Sequence, residues 1–272
     1  MSSRKSVTDA SDDLDPTLMK RALAALTGLT SKPEQIRAVG REALAFARQA
    51  TLLHRDVTAT YPRLASPGDD VVVLLHGLFA TAGVLREAVE RVTGAHTASF
   101  TYAPGPGVAR IAETLAELVD RLPSGVRIHL VGHSMGGIAA RWFVQELGGD
   151  PRVVGTLSLA SPFQGTRRAR LVPGASGRDI GIDSAVLSRI RERGECGVPH
   201  LSVIAGRDVL VTEEASLPHG RRIVIGDSGH NGLLFHPRVA EIVTERVMEL
   251  RERCVEPTGP RTGFRIASGR VT

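Results

Sequence analysis

The chain has 272 residues, 42% of them hydrophobic, which suits one large α/β domain or a domain with an appendage. No apolar run approaches the length of a membrane span, and no signal-peptide core follows Met1–Lys5, so a cytoplasmic protein is expected. The net charge of +5 rests on scattered arginines and aromatics are only 4%, which excludes the basic, aromatic-interleaved stripe that nucleic-acid binding needs.

Residues 1–13 are polar and predicted to be disordered. A helical segment is predicted over 14–60. Asp15-Pro16 caps a first helix carrying Leu18, Ala22 and Leu26 on one face, and Gly28 stops it. Ser31-Lys32-Pro33-Glu34 is a capping box for a second helix, on which Ile36, Val39, Ala43, Phe46, Ala50 and Leu53 recur at helical spacing. This hairpin carries no catalytic chemistry. It is expected to pack on the main domain or a second subunit, with peripheral membrane contact as the alternative, and deletion of residues 1–56 to leave kcat on a small soluble ester within about tenfold provided the protein stays folded. The oligomeric state is not legible.

The main domain is predicted over 61–256. Val71–Leu75 is a continuous β-branched and leucine run, as a strand covered on both faces requires. Further strands are predicted at Ala98–Tyr102, Arg127–Val131, Val154–Leu159, Leu201–Ala205 and Arg222–Ile225. The helices between them include a strongly periodic one with Val108, Ile111, Leu115, Leu118 and Leu122. Alternation of this kind specifies a mainly parallel sheet with helices on both faces. Gly105-Pro106-Gly107 stands where a dinucleotide fingerprint would, but Arg110 occupies its third glycine position. An insertion at 166–199 is expected to be a small lid or the wall of a substrate pocket, with a surface excursion of no gating role as an equal alternative. Residues 257–272 read as a flexible tail.

The chemistry centres on Gly132-His133-Ser134-Met135-Gly136, set between a strand and a helix, the context of a nucleophile elbow. A serine hydroxyl needs a base to take its proton and an acid to orient that base. Asp208 follows one strand and His230 the next, in the chain order this topology demands. Glu213, Glu214 and Asp227 are rival acids, the first two farther down a loop and the third too near His230 in sequence. His133 should point sideways into the scaffold and His76 bond backbone in its own loop, while His219 and His236 have no acid to pair with. The N–H groups of Met135 and of Leu78, in the loop after the first strand, are the expected oxyanion donors. Cys196 and Cys254 make no metal pattern with the histidines and are expected to stay reduced.

Together these stretches resemble bacterial lipases and esterases of the α/β-hydrolase superfamily. The resemblance rests on Gly132-His133-Ser134-Met135-Gly136-Gly137, on Leu75-His76-Gly77-Leu78 and on Ser228-Gly229-His230-Asn231-Gly232. Ala160-Ser161-Pro162-Phe163-Gln164-Gly165-Thr166 is similar to the family's segment after the next strand, with Phe163 at the position of the usual histidine. The resemblance covers about residues 70–250 and implies Ser134, Asp208 and His230 as the triad and Leu78 with Met135 as the oxyanion hole. It implies hydrolysis of a small-molecule or lipid ester through an acyl-enzyme, without metal or other cofactor. Phe79, Phe163 and Leu187 are expected to wall an apolar acyl pocket. Thioester cleavage or acyl transfer by the same triad is the alternative, and a non-catalytic lipid- or partner-binding protein on this scaffold is a third.

Overall fold

The computed structural model describes residues 33–89, 94–211 and 216–255. The expected disordered start, the first helix of the hairpin, the tail and the rival acids Glu213 and Glu214 lie outside these residues. The strands β1 (Asp70–Leu75), β2 (His96–Ser99), β3 (Arg127–His133), β4 (Val153–Leu159), β5 (His200–Ala205) and β6 (Arg221–Ile225) form one sheet in the order β2-β1-β3-β4-β5-β6. Every neighbouring pair is parallel. The helices are α1 (Pro33–Thr51), α2 (Ala82–Val89), α3 (Val108–Asp120), α4 (Met135–Glu146), α5 (Gly174–Asp179), α6 (Ala185–Arg193) and α7 (Pro237–Val255).

The unbroken apolar run of β1 follows from burial on both faces. Val71, Val73 and Leu75 enter one core with Ile111 and Leu115 of α3 and Ile138 of α4. Val72 and Leu74 enter the other with Val84 and Leu85 of α2 and Val239 and Ile242 of α7. Each such side chain contributes about 1.5–3 kcal/mol on leaving water. From β1 the chain steps outward to β2, then crosses back to the far side of β1 for β3. The loops leaving β1 and β3 therefore diverge and open a crevice at the strands' carboxyl ends.

The buried stripe of α1 differs from the one predicted. Glu42, Ala45, Gln49 and Leu52 are buried, whereas Ala50 is exposed, Phe46 is 37% exposed and Val39, Ala43 and Leu53 are half-buried. The helix is rotated by about one residue because its two buried polar side chains find partners in the loops beneath. A count of apolar residues cannot register that.

The insertion at 166–199 is tied into the body. Val108 at the start of α3 donates its N–H to Asp179 Oδ2 at 2.7 Å. Ser176 Oγ donates to the Pro106 carbonyl at 2.7 Å and accepts from the Gly105 N–H at 3.1 Å. Gly105-Pro106-Gly107 thus has a local duty: a Cβ on Gly107 would fall 2.6 Å from Asp179 Oδ2. Ile180, Leu187 and Ile190 are buried in the α3–α4 core.

Arg141 of α4 closes the far end of the insertion. It is fully buried, with Nη1 donating to the Val198 carbonyl at 3.0 Å and to Thr156 Oγ1 at 3.2 Å, and Nη2 to the Gly194 and Glu195 carbonyls at 3.0 Å each. Truncating it would strand the Val198 carbonyl, take a donor each from the Gly194 and Glu195 carbonyls, and leave a cavity. Arg141→Ala should lose about 3–5 kcal/mol of stability, read as a drop in the urea midpoint, and an unchanged midpoint would count against this role.

Candidate active site

Ser134 joins β3 to α4 with φ 51° and ψ −119°, a strained conformation for a residue with a Cβ. The turn is tight enough to need glycine on both sides. A Cβ on Gly132 would overlap the Gly136–Gly137 backbone, and one on Gly136 would overlap the Leu75 carbonyl. The elbow is held in place by the Ser134 N–H donating to the Leu159 carbonyl at 2.8 Å and by Ser161 Oγ donating to the Ser134 carbonyl at 2.7 Å. Sequence reasoning missed this duty of Ser161, for which no local pattern exists.

Met135 opens α4, so its N–H has no partner within the helix. Gly77 lies against the serine: a Cβ on it would sit 3.1 Å from Ser134 Cβ and 2.7 Å from His133 Nδ1. Leu78 is half-buried, and Phe79 is 47% exposed with φ 58°. Upstream, His76 accepts the Tyr102 N–H on Nε2 at 3.0 Å, so Nδ1 carries the proton and donates to the Gly77 carbonyl at 2.7 Å. Burial holds His76 neutral, pushed down to about 4. His76 thus has the loop-bracing role predicted for it.

His230 and Asp208 meet beside this loop pair. His230 Nδ1 donates to Asp208 Oδ2 at 2.8 Å, with both side chains almost wholly buried. Asp208 Oδ1 accepts the N–H groups of Leu210 at 2.7 Å and Val211 at 2.8 Å, which fixes the carboxylate as an acceptor. Burial alone would lower the His230 pKa, but the Asp208 carboxylate, and Glu42 with it, outweigh burial and raise it above the ordinary 6.5. His133, next to the serine, bonds the His230 carbonyl through Nε2 at 3.2 Å, and the two rings lie 4.8 Å apart. Burial and the neighbouring His230 keep His133 neutral, well below 6.5. The base loop is thereby anchored to the elbow.

The other candidates fall away from this centre. Asp227 is exposed and faces His236 at 3.4 Å. His219 bonds the Arg191 carbonyl at 3.0 Å. His200 is buried in the sheet between Thr156, Ser158 and Ser202, held neutral chiefly by burial.

Phe163 and Leu187 require correction, because both are wholly buried and expose no surface to a substrate. The Phe163 ring packs edge-on to His200 at 5.4 Å, and Leu187 belongs to the α3–α4 core. An apolar side chain just past a strand gains more by turning into the core than by lining an open crevice. Of the three expected wall residues only Phe79 is exposed.

The structure adds two residues that sequence reasoning missed. Glu42 Oε1 on α1 accepts both the backbone N–H of Asn231 at 2.6 Å and its Nδ2 at 2.7 Å. Gln49 Nε2, two turns on, donates to the Phe79 carbonyl at 3.0 Å. Their only sequence signal is a glutamate and a glutamine seven apart on the buried side of a helix. Removing residues 1–56 would take both contacts away, so the truncation expected to be near-silent also tests what these two contacts do.

Comparison with solved structures places the chain in the α/β-hydrolase fold. It is similar to a lipase of Bacillus licheniformis in mature form at TM-score 0.55 and 15% identity, covering 71% of this chain and 96% of that one. It is similar to Aspergillus fumigatus lipase B at TM-score 0.59 and 14% identity, covering 88% and 83%. The monoacylglycerol lipase of Paleococcus ferrophilus aligns at TM-score 0.54 and 14% identity over 70% and 96%. No protein-family model and no curated protein matches the sequence.

Proposed function

We propose that the protein is a serine hydrolase that cleaves carboxylic esters through an acyl-enzyme. The observation that carries this is the His230–Asp208 pair, buried and 2.8 Å apart, anchored through His133 to a serine on a strained elbow. In this reading Ser134 Oγ attacks the ester carbonyl carbon while His230 Nε2 takes its proton. Asp208 keeps the proton of Nδ1 in place and stabilises the imidazolium. The Leu78 and Met135 N–H groups receive the charge that develops on the carbonyl oxygen. Collapse of this intermediate breaks the ester bond, and His230 returns the proton to the departing alkoxide. A water then repeats the sequence on the acyl-enzyme, releasing the acid and restoring Ser134.

The exposed Phe79, beside Leu78, favours an apolar acyl chain. With the insertion tied to α3 and the core, its role in this reading is a fixed wall, and a sharp rise in rate at an oil–water interface is not expected. The test is hydrolysis of p-nitrophenyl esters of increasing acyl length, with thioesters and acceptor alcohols offered alongside. Turnover of thioesters alone would move the assignment to the thioesterase alternative.

The rate should depend on pH through His230. The base must be neutral to accept a proton, and its pKa is raised. Activity should therefore fall as pH drops through a midpoint above 6.5 in kcat/KM. A single ionisation well below that value would contradict the assignment of His230 as base.

A further inference from the structure

We propose that Glu42 is a positioning residue for His230, and that α1 acts as a strap tying the base loop and the oxyanion loop to one helix face. This rests on the ester-hydrolase reading of the site. Glu42 and Gln49 lie seven residues apart, so they project from the same side of α1. Between them Ala45 is buried, and Leu52 extends the face. Glu42 reaches the residue directly after the base, and Gln49 the carbonyl of the residue directly after the expected oxyanion donor.

The chemistry of these contacts is unusual for a merely structural helix. Glu42 is 5% exposed, and its Oε2 has no hydrogen-bond partner among the described residues. A carboxylate half-satisfied in the interior is costly. It lies so close over Gly229 that a Cβ there would meet Oε2 unless the carboxylate moved, so Glu42 packs directly on the residue before His230. A neutral amide oxygen could also accept from Asn231 and fasten the loop. What the carboxylate adds is negative charge beside the imidazole, where imidazolium forms during turnover. The charged and titratable groups facing His230 are Asp208 from the β5 end, His133 from the β3 end and Glu42 from α1. Asp227 on the base's own loop is turned outward to His236.

Gln49 supplies the second attachment. Phe79 holds a left-handed φ of 58°, which its neighbours must maintain, and the Gln49 amide fixes its carbonyl. A shift of α1 would move both loops together.

The experiment uses the full chain with Glu42→Gln and Glu42→Ala. Glutamine keeps an oxygen that can accept from Asn231 but removes the charge, whereas alanine removes both. The imidazole titration of His230, followed by NMR without substrate, should move to lower pH by about half a unit in Glu42→Gln, while His236 stays put. On p-nitrophenyl butyrate, Glu42→Ala should lose about ten- to a hundredfold in kcat with KM within about threefold, and Glu42→Gln should recover most of that kcat. A purely structural role would lower the melting temperature and leave the His230 midpoint where it was. An unmoved midpoint in folded Glu42→Gln overturns the proposal, and that variant carries the test should Glu42→Ala not fold. Failure of the hydrolase reading is separable, because it shows as no turnover of any ester by the wild type, while the midpoint is read without turnover.

Discussion

Replacing Ser134 with alanine should lower kcat on a soluble ester about a million-fold, with KM little changed. The size follows from what is removed. The residual rate comes only from oxyanion donors and binding, because the attacking atom and the covalent intermediate are gone. The fold should survive. Alanine at φ 51° strains the backbone no more than serine does, and the two bonds that hold the elbow, to the Leu159 carbonyl and from Ser161 Oγ, use backbone groups of residue 134. His230→Ala should fall to a similar level, and the double variant should be little worse than either, because nucleophile and base act as one unit. Multiplicative losses in the double variant would mean that the two residues do not share a step.

Asp208→Asn is the second large effect, about four orders of magnitude in kcat. Asp208 accepts the His230 Nδ1 proton through Oδ2 and two backbone N–H groups through Oδ1. Because Oδ1 must remain an acceptor for Leu210 and Val211, an asparagine here would present its NH2 group to Nδ1. The imidazole would then take the opposite tautomer, with its proton on Nε2 where the serine's proton must go. The raised His230 pKa should also fall, since the Asp208 carboxylate is the main influence raising it. Near-normal activity in Asp208→Asn would reassign the acid.

Much of this site is legible in the sequence because its demands are local. An elbow with a serine at positive φ needs Gly132 and Gly136, and a strand and helix on either side of them are plain in the periodicity. Asp208 and His230 are findable because a parallel sheet puts the ends of β5 and β6 on one edge. The alternation of β1 between two cores is likewise implied by its unbroken apolar run. What sequence could not provide is anything fixed by partners far along the chain. Glu42 bonds Asn231 across 189 positions, and no window contains both. The same distance effect turned α1 from its predicted stripe, because partners for Glu42 and Gln49 decided which side went inward. Phe163 and Leu187 failed for a related reason: periodicity marks a side chain as apolar without saying whether it meets the core or a substrate. Phe163 found His200, and Leu187 the α3–α4 core.

The central claim is that Ser134 is a nucleophile activated by His230, and a fluorophosphonate tests it most directly. The account predicts a single adduct on the intact protein, mapped by peptide mass spectrometry to Ser134. Labelling should be abolished in Ser134→Ala and strongly slowed in His230→Ala. A wild-type protein that is folded yet takes up no probe, or takes it up on a residue other than Ser134, would contradict the account.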